Sequence, residues 1–543
     1  MMPTDVDVEP TATVAAMVRA RATDDQVGLV YGDQTWTWRQ VVGEAAVRAA
    51  WLRAVLDPAR PPHVGVLLPN VPEYVFEIFG AALAGACIVG LNSTRPAAEL
   101  ARDIGHTDCQ LVIADGTYAG LVDDPLRIED APWADHAGAP LPDTDPPRSA
   151  LMCLLFTSGS TSAPKAVLRS QGRTADAAAM GLRPKDTVYC PMSLCHGNAL
   201  SSTLFPALAG GARVLLRDRF SATAWLPDIR AHDVTFTATV GRALGYILAT
   251  PPTPHDRDHR LRFVLAPEAS PRDMSDFVDR FGVKVVSGYG SSEGGVMLMP
   301  AHKPGSLGVA RDGDDIAVVD ASGEQCPTAR FDSGGRLLNS EDAIGELVRR
   351  NPAGAFEGYW KNPEAEAERL RGGWFWSGDL AYRDDDGVFW FAGRVGDWLR
   401  VDSENFAASP VERIVARYDD ASAVAVVGVP DPLAGDQVMA VLELPQGRDF
   451  DPDHFVKFLD SQPDLGSKWA PRFVRVSSGL PIIGNSKVNK RALRRQAWLC
   501  DDAVWWRPPR TDAYTLMTEA DRENLRREFL SHGRISAYPD PGA

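Results

Sequence analysis

Short apolar runs of strand length alternate with longer helical patterns between about residues 25 and 350, and this alternation constrains the fold more than any other feature. The clearest runs are HVGVLL, CQLVIA, ARVLL, RFVLA and VKVVSGY. Strands that alternate with helices are typical of layered α/β structures. Because 543 residues are too many for one hydrophobic core, the sequence predicts a large multi-layer α/β N-terminal body and at least one further domain.

Composition narrows the class of protein. Hydrophobic residues make up 45% and charged residues 24% of the chain, which is ordinary for a globular protein. The chain carries a net charge of −16, so a broad nucleic-acid-binding surface or strong attraction to anionic lipid is not expected. We therefore predict small-molecule ligands and no nucleic-acid partner. Weak peripheral contact with a membrane and assembly as a homodimer stay open.

Cysteine usage and the N-terminal segment favour a cytoplasmic protein. The seven cysteines form no CxxC pair, which argues against a disulfide framework and a zinc site. The start, MMPTDVDVEPTATV, lacks the basic and apolar regions of a secretory signal. The most apolar segment, Phe79 to Leu91, is too short to span a bilayer, so we interpret it as a buried helix that runs into a strand.

The pattern changes after residue 394. Strand ASAVAVVGVPD, strand QVMAVLEL and helix PDHFVKFLDSQ predict a small α+β domain. We therefore predict a large N-terminal body over 1–394, a small C-terminal domain over 395–497 and a tail over 498–543. Gly393 and Gly396 lie at the first boundary and can act as a hinge. In the tail, Thr518 is a predicted helix cap, and Leu525 and Phe529 share the face that docks.

A hydroxyl-rich loop follows the predicted buried strand Leu151 to Phe156. The sequence TSGSTSAPK offers hydroxyl donors, a glycine that permits close backbone approach, and a cation, a set suited to phosphate oxygens. The candidate phosphate ligands are Thr157, Ser158, Gly159, Ser160, Thr161 and Lys165. From these residues alone, a solvated polar turn is an equal alternative.

The segment GYGSSEGG fits two motifs at once. Gly290 to Gly294 matches the G-x-S-x-G nucleophile elbow of hydrolases, with Ser292 as the nucleophile. That elbow requires a helix directly after the serine, but VMLMPAHKPG contains Pro300 and Pro304, which disfavour one. The dinucleotide fingerprint that the same glycines imitate lacks its helix and its later acidic residue. A hydrolase is thus an alternative that the local context weakens.

Taken in order, the motifs TSGSTSAPK, GYGSSEGG, WSGDL, GRVGD and LPIIGNSKVNK resemble the adenylate-forming superfamily of acyl-CoA synthetases. The resemblance is strongest to actinobacterial fatty-acyl-CoA synthetases with fatty-acid-transport-protein-like character. It implies an acyl-CoA synthetase/luciferase-like fold, in which a small mobile α+β domain follows the large body. It also implies that ATP and an acid form acyl-AMP and pyrophosphate, after which coenzyme A displaces AMP; the cofactors implied are ATP, Mg²⁺ and CoA.

The resemblance also assigns roles in nucleotide binding. The loop with Lys165 would hold the β and γ phosphates. Ser292 and Glu293 match the position that meets the α phosphate and magnesium, with Glu293 as the metal ligand. Tyr289 would lie against the adenine. Asp379 matches the acid that accepts hydrogen bonds from the ribose, and Arg394 matches the arginine near the ribose and the hinge.

Two further residues are implied to act at the acyl group. Lys487, in the small domain, would stabilise the charge that moves between the carboxylate and the α phosphate, so this domain must close for adenylation and rotate for thioester formation. A solvated basic helix start is the alternative for Lys487. His196 in PMSLCHGNAL matches an acyl-pocket histidine.

Two departures from the family pattern keep other functions open. Ser162 replaces a glycine of the phosphate loop, and Ser403 replaces a glycine that resembles the lining of the pantetheine passage. An acyl-AMP ligase that loads a carrier protein, or a catalytically silent binder, are therefore alternatives to the CoA ligase. The candidate acyl wall comprises 234–248 and 294–299, where Gly241, Ala243 and Gly245 leave room for a fatty or steroid side-chain acid.

Overall fold

The computed structural model describes residues 12–157, 165–301, 303, 305–333, 337–394, 398–401, 404–445, 447–466, 468–483, 487–509 and 511–541. By backbone contacts the chain divides into two compact units. The N-terminal unit comprises Met1–Gly305 with Ala353–Glu368, and the C-terminal unit comprises Ser306–Pro352 with Arg369–Ala543.

Up to residue 305 the chain alternates strands and helices. The strands are β1 (Val27–Tyr31), β2 (Gln34–Thr37), β3 (His63–Leu67), β4 (Cys87–Gly90), β5 (Leu111–Ala114), β6 (Leu126–Arg127), β7 (Leu151–Thr157), β8 (Lys165–Ser170), β9 (Thr187–Cys190), β10 (Arg213–Leu216), β11 (Phe236–Ala238), β12 (Phe263–Leu265), β13 (Lys284–Val286), β14 (Tyr289–Gly290) and β15 (Met297–Leu298). The helices are α1 (Val14–Arg19), α2 (Trp38–Val55), α3 (Pro72–Ala84), α4 (Ala97–His106), α5 (Gln171–Ala177), α6 (Gly197–Ala199), α7 (Phe205–Gly210), α8 (Ala222–Ala231), α9 (Gly241–Leu248) and α10 (Pro271–Phe281). Short 3-10 turns occupy Ala119–Leu121, Ile128–Asp130 and Trp133–His136, and a π-helical turn, Leu200–Leu204, joins α6 to α7.

Two mainly parallel sheets form the N-terminal unit. One has the strand order β13-β12-β11-β9-β10-β1-β2, in which only β2 runs antiparallel. The other has the order β6-β5-β3-β4-β7-β8, in which only β8 runs antiparallel. Strands β3, β4, β9 and β11 are buried along their whole length, as expected for parallel strands covered on both faces. The predicted α/β body is thus confirmed.

One cluster of buried apolar residues includes members of both sheets. It contains Val64 of the six-stranded sheet, Val188 of the seven-stranded sheet, Trp38 of α2 and Phe79 of α3. The predicted helix-to-strand segment at residues 79–91 is present as the end of α3 followed by β4. Gly85 ends α3 with a φ of 73°, a conformation that glycine adopts without strain. All seven cysteines are free thiols.

From residue 306 onward the chain builds smaller sheets. The strands are β16 (Ile316–Val319), β17 (Gly345–Arg349), β18 (Leu370–Arg371), β19 (Trp374–Arg383), β20 (Phe389–Arg394), β21 (Trp398–Val401), β22 (Glu404–Ala407), β23 (Ala423–Pro430), β24 (Asp436–Glu443), β25 (Phe473–Ser477), β26 (Ile482–Ile483), β27 (Lys487–Val488), β28 (Ala503–Trp506) and β29 (Thr515–Leu516). The helices are α11 (Ser340–Ala343), α12 (Pro363–Arg369), α13 (Ala408–Val415), α14 (Pro452–Asp460), α15 (Lys490–Gln496) and α16 (Glu519–Ser531), with a 3-10 turn at Ile535–Ala537.

The predicted small α+β domain is present as a five-stranded sheet in the order β23-β24-β25-β28-β29. Strands β23 and β24 pair antiparallel over their full length, and β25 runs parallel to β24. Strands β28 and β29 come from the predicted tail, so by backbone pairing the tail extends this sheet. The domain limits at residues 394 and 497, and the mobility of the small domain, stay predictions.

The tail helix α16 forms as its sequence indicates. Thr518 and Asp521 make a reciprocal capping box at its start. Leu525 and Phe529 are buried, and the Phe529 ring lies 6.2 Å from that of Trp498 and 5.3 Å from that of Tyr538. None of the helices in the described ranges is long and apolar enough to cross a membrane.

We expect Phe529→Ala to destabilise the C-terminal unit by about 3–5 kcal/mol, because it removes a fully buried ring and leaves a cavity beside Trp498. The neighbouring Leu530 is 63% exposed, so Leu530→Ala is the matched control and should change stability by less than about 0.5 kcal/mol. Guanidinium unfolding followed by tryptophan fluorescence measures both variants. Equal, small effects would show that α16 is not docked.

Candidate functional site

Strands β7 and β8 bracket the predicted phosphate loop. Thr157 ends β7 and pairs in register with Lys165, the first residue of β8. The predicted strand 151–156 is therefore present, and both ends of the loop leave the same edge of the six-stranded sheet. Ser158, Gly159, Ser160 and Thr161, like Ser162, lie outside the described residues, and the structure describes only the backbone of Thr157.

Lys165 lies beside two groups of the N-terminal unit, a carboxylate and an aromatic ring. Its side chain is only 12% exposed, and its Nζ lies 2.8 Å from Oε2 of Glu368. The same Nζ lies 5.5 Å from the ring centroid of Tyr359, within the range of a cation–π contact. The ammonium group is thus held by a carboxylate and an aromatic face at the first residue of β8.

The turn that carries Ser292 and Glu293 is held from several sides. The Tyr359 hydroxyl donates to Oε1 of Glu293 at 3.1 Å, and Glu293 is buried. Arg169 donates to the carbonyl of Ser292 at 2.7 Å, and Arg173 donates to the carbonyl of Gly294 at 2.8 Å. Two guanidinium groups therefore fix the backbone on either side of Glu293.

Gly294 belongs to this arrangement for two reasons. Its φ is +66°, which disfavours a side chain. A Cβ atom there would come within 2.7 Å of an Arg173 nitrogen and 3.0 Å of an Arg169 nitrogen. Gly294, the last residue of the elbow motif, thus lies close to the guanidinium groups of Arg169 and Arg173, and a larger residue there would displace them.

Arg169, one of the two arginines that contact this turn, has an unusual environment. It lies in strand β8, in which the nearby residues Ala166 and Val167 are buried. Burial lowers the pKa of its guanidinium, while Cys153 and the carboxylates of Glu357 and Glu293 act in the opposite direction. An arginine remains charged even so, so Arg169 places a positive charge beside the predicted metal ligand.

The segment around Ser292 is a hairpin. Tyr289 pairs with Leu298 and Gly290 with Met297, so β14 and β15 run antiparallel. The chain between them contains no helix, and the strand–turn–helix context of a hydrolase elbow is therefore missing at Ser292. Tyr289, the predicted adenine contact, is half-buried at the start of this hairpin.

His196 lies directly before helix α6. This helix continues through the π-helical turn Leu200–Leu204 into α7. A Cβ atom added at Gly197 would lie 3.8 Å from the Ser292 hydroxyl, so the start of this helix faces the Ser292 turn. Burial lowers the pKa of His196 to about 4, and its imidazole is therefore neutral at physiological pH.

Asp379 and Arg394 meet within the C-terminal unit. They are paired residues of the antiparallel strands β19 and β20, and Nε of Arg394 lies 3.5 Å from Oδ1 of Asp379. The backbone N–H of Asp379 donates to the Ser377 hydroxyl at 3.1 Å. Lys487 begins β27, opposite Ile483, but the structure describes only its backbone. Ser403 lies outside the described residues.

Glu293 fits a magnesium ion that is held mainly by substrate. Among the described residues, no group of three or more His, Cys, Asp or Glu side chains is arranged to hold a metal ion. Mg²⁺ typically uses one or two carboxylates together with phosphate oxygens and water, so a dedicated cage is not required. A buried carboxylate with a fixed Oε1 suits this mode of binding.

The predicted acyl wall shows that two glycines of α9 have different roles. A Cβ atom at Gly241 would lie 2.3 Å from the carbonyl oxygen of Glu268, so Gly241 allows close packing. At Gly245 the nearest atom is Oδ2 of Asp273, at 3.8 Å. Ala243 is buried. Of the two glycines, Gly245 is the one at which an added Cβ atom would make only an ordinary van der Waals contact.

Several residues of this site were missed by the sequence analysis. Tyr359 lies almost 200 residues from Lys165 in the sequence, and no local pattern connects the two. Arg169 did carry a signal, because a charged residue directly follows the apolar run Ala166–Leu168 of β8. Arg173 lies in α5 and carried no such signal.

Comparison with known proteins supplies the family. The AMP-binding enzyme model matches residues 17–360, and the AMP-binding enzyme C-terminal domain model matches residues 410–487. Steroid-22-oyl-CoA synthetase of Rhodococcus jostii is 46% identical over 96% of this chain and 98% of its own. The medium/long-chain-fatty-acid–CoA ligase FadD17 of Mycobacterium tuberculosis is 43% identical over 91% of this chain and 98% of its own.

Solved structures agree on the fold. The anthranilate CoA ligase AuaEII in complex with anthranoyl-AMP superposes with a TM-score of 0.79 at 21% identity, over 91% of this chain and 98% of that one. ATP-bound MatB from Rhodopseudomonas palustris gives a TM-score of 0.78 at 22% identity, over 90% and 99%. The predicted superfamily, fold and enzyme class are confirmed, and the chain belongs to the AMP-binding enzyme family, as an acid–thiol ligase that uses ATP and CoA.

Proposed function

We propose that the chain activates a steroid side-chain carboxylic acid, first as acyl-AMP and then as the CoA thioester. The observation that carries this proposal is the 46% identity, over nearly the full length, to a steroid-22-oyl-CoA synthetase. Gly245 lies in the predicted acyl wall, where a Cβ atom would meet no atom closer than 3.8 Å. A medium- or long-chain fatty acid is the second candidate, because identity to FadD17 is 43%.

The N-terminal unit carries the groups proposed to hold the triphosphate. Lys165 and the loop before it would bind the β and γ phosphates, and Ser292 would meet the α phosphate. Glu293 would bind Mg²⁺, which when bound neutralises negative charge on the phosphates. Support comes from the positions of Lys165 and Glu293, which contact the same tyrosine.

The C-terminal unit carries the groups proposed for the sugar and for the transfer step. Asp379 would accept hydrogen bonds from the ribose hydroxyls, and Arg394, whose Nε lies 3.5 Å from Oδ1 of Asp379, would orient that carboxylate. Lys487 would stabilise the charge that develops between the attacking carboxylate and the α phosphate. Closure of the small domain for adenylation, a cytoplasmic location and the homodimer stay predictions.

His196 is proposed to line the acyl site as a neutral group. Because its pKa is lowered to about 4, it carries no charge near an apolar acid at working pH. A neutral imidazole adds little desolvation cost to an apolar pocket, whereas an imidazolium would be expensive to bury. His196 therefore contributes shape and polarity rather than an acid–base step between pH 6 and 8.

Lys487→Met should lower carboxylate-dependent pyrophosphate release on the order of a hundredfold or more, because a preorganised charge at the reacting atoms is lost. Lys490→Met is the matched control. Lys490 lies three residues away and pairs with Glu412 at 2.6 Å, so its loss should affect stability more than turnover. Pyrophosphate release is measured with and without CoA. Equal losses in both variants would favour a structural role for the basic run.

Wild-type enzyme should prefer a steroid side-chain acid over palmitic acid in kcat/KM for acyl-CoA formation. Gly245→Leu should reduce kcat/KM for the steroid acid by about tenfold or more, because it adds a large side chain to the predicted acyl wall. Gly43→Leu in α2, an exposed position with no atom within 4 Å, is the matched control.

If acyl-AMP accumulates without thioester, a carrier protein becomes the favoured acceptor. Cleavage of esters without ATP, lost in Ser292→Ala, would indicate a hydrolase, and nucleotide binding with no turnover of any acid would indicate a silent binder.

The pH dependence tests His196 separately. A group with a pKa near 4 is neutral above about pH 5, whereas an ordinary histidine titrates near pH 6.5. The ratio of kcat/KM for wild type to that for His196→Gln should therefore stay constant from pH 6 to 8. His255→Gln, on an exposed turn, should leave kcat/KM unchanged. A ratio that changes around pH 6.5 would contradict a neutral role.

A further inference from the structure

One buried tyrosine contacts both halves of the proposed phosphate site. Tyr359 is 2% exposed. Its hydroxyl donates to Oε1 of Glu293 at 3.1 Å, and its ring centroid lies 5.5 Å from Nζ of Lys165. The proposed magnesium ligand and the proposed phosphate-binding lysine are therefore linked through a single side chain.

The backbone around Tyr359 is fixed to strand β8. Tyr359 pairs with Val167, the Leu168 N–H donates to the Gly358 carbonyl at 3.1 Å, and the Trp360 N–H donates to the Ala166 carbonyl at 2.8 Å. The Tyr359 N–H donates to Oε1 of Glu366 at 2.8 Å. The tyrosine is thus held against the strand that begins with Lys165.

Trp360 and Lys361, which follow Tyr359 in the sequence, bind another part of the N-terminal unit. The Trp360 indole donates to Oδ2 of Asp108 at 3.0 Å, and Lys361 Nζ lies 2.7 Å from Oδ1 of the same carboxylate. Nε2 of His106 lies 3.0 Å from the Trp360 carbonyl oxygen. With anchors on both sides, the phenol has little freedom to leave Glu293.

This geometry has a chemical consequence for the carboxylate. A phenol is a donor, so it takes one carboxylate oxygen as acceptor and fixes the orientation of the group. Partners that orient a metal-binding carboxylate strengthen metal binding without touching the ion. Arg169 and Arg173 fix the backbone of the same turn, so Tyr359 completes the restraint at the side chain.

We propose that Tyr359 is a positioning residue that orients Glu293 for magnesium and thereby sets how strongly Mg²⁺ tightens ATP binding. This inference rests on the proposed function of Glu293 as the metal ligand. The ring of Tyr359, by contrast, packs near Lys165 through its face and does not need the hydroxyl. Tyr359→Phe therefore separates the two contacts.

The test measures the Mg²⁺-dependent gain in nucleotide affinity. The dissociation constant of α,β-methylene-ATP, which cannot release pyrophosphate, is determined by calorimetry with Mg²⁺ and with EDTA, and the ratio is the coupling factor. Tyr359→Phe should lower this factor about tenfold and leave affinity in EDTA unchanged, since oriented carboxylates bind metal more tightly. The same variant should need more Mg²⁺ for half-maximal pyrophosphate release.

Two further variants make the result decisive. Tyr189 is also buried and its hydroxyl also donates to a carboxylate, that of Asp228 at 3.1 Å, so Tyr189→Phe is the matched control and should keep the wild-type coupling factor. Glu293→Gln should abolish the coupling. If Tyr359→Phe matches Tyr189→Phe, or loses affinity equally with Mg²⁺ and with EDTA, the positioning role is overturned. If instead Glu293→Gln retains full coupling, the proposed metal ligand itself is wrong.

Discussion

The antiparallel pairing of β7 with β8 is the interaction on which the rest of the site depends. It sets Thr157 opposite Lys165, so the residues on either side of the predicted phosphate loop are paired in the six-stranded sheet. The same strand β8 carries Arg169, which holds the Ser292 carbonyl, and Val167, which pairs with Tyr359. One short strand thus organises residues that are distant in sequence.

Oppositely charged groups lie together on and around strand β8. Arg169 lies near Glu293 and Glu357, and Lys165 lies beside Glu368. Glu357 in turn accepts a hydrogen bond from the Ser170 N–H at 2.8 Å. Glu293 is buried, whereas the Glu368 side chain is 67% exposed. An isolated buried charge costs several kcal/mol, roughly, but a paired charge recovers much of that cost, so Arg169 offsets part of the cost of burying Glu293.

The sequence was informative where structure is local and much less so where it depends on distant contacts. The runs at 63–68, 109–114, 212–216 and 262–266 all contain strands, and the capping box at Thr518 starts its helix as expected, because periodicity and capping are local signals. Tyr359 could not be found this way, since its role arises only when 353–368 packs on β8. Gly241 shows the opposite problem: a small residue that suggested pocket space is explained by the close approach of the Glu268 backbone. Composition alone does not distinguish a residue that leaves space from one that permits contact.

The residues proposed to act in catalysis fall in both compact units. Lys165, Ser292, Glu293 and His196 belong to the N-terminal unit, whereas Asp379, Arg394 and Lys487 belong to the C-terminal unit. Adenylation and thioester formation act on the same acyl carbonyl but need different groups beside it. Tyr359 contacts both Glu293 and Lys165, so the groups proposed for the triphosphate are restrained by contacts within the N-terminal unit.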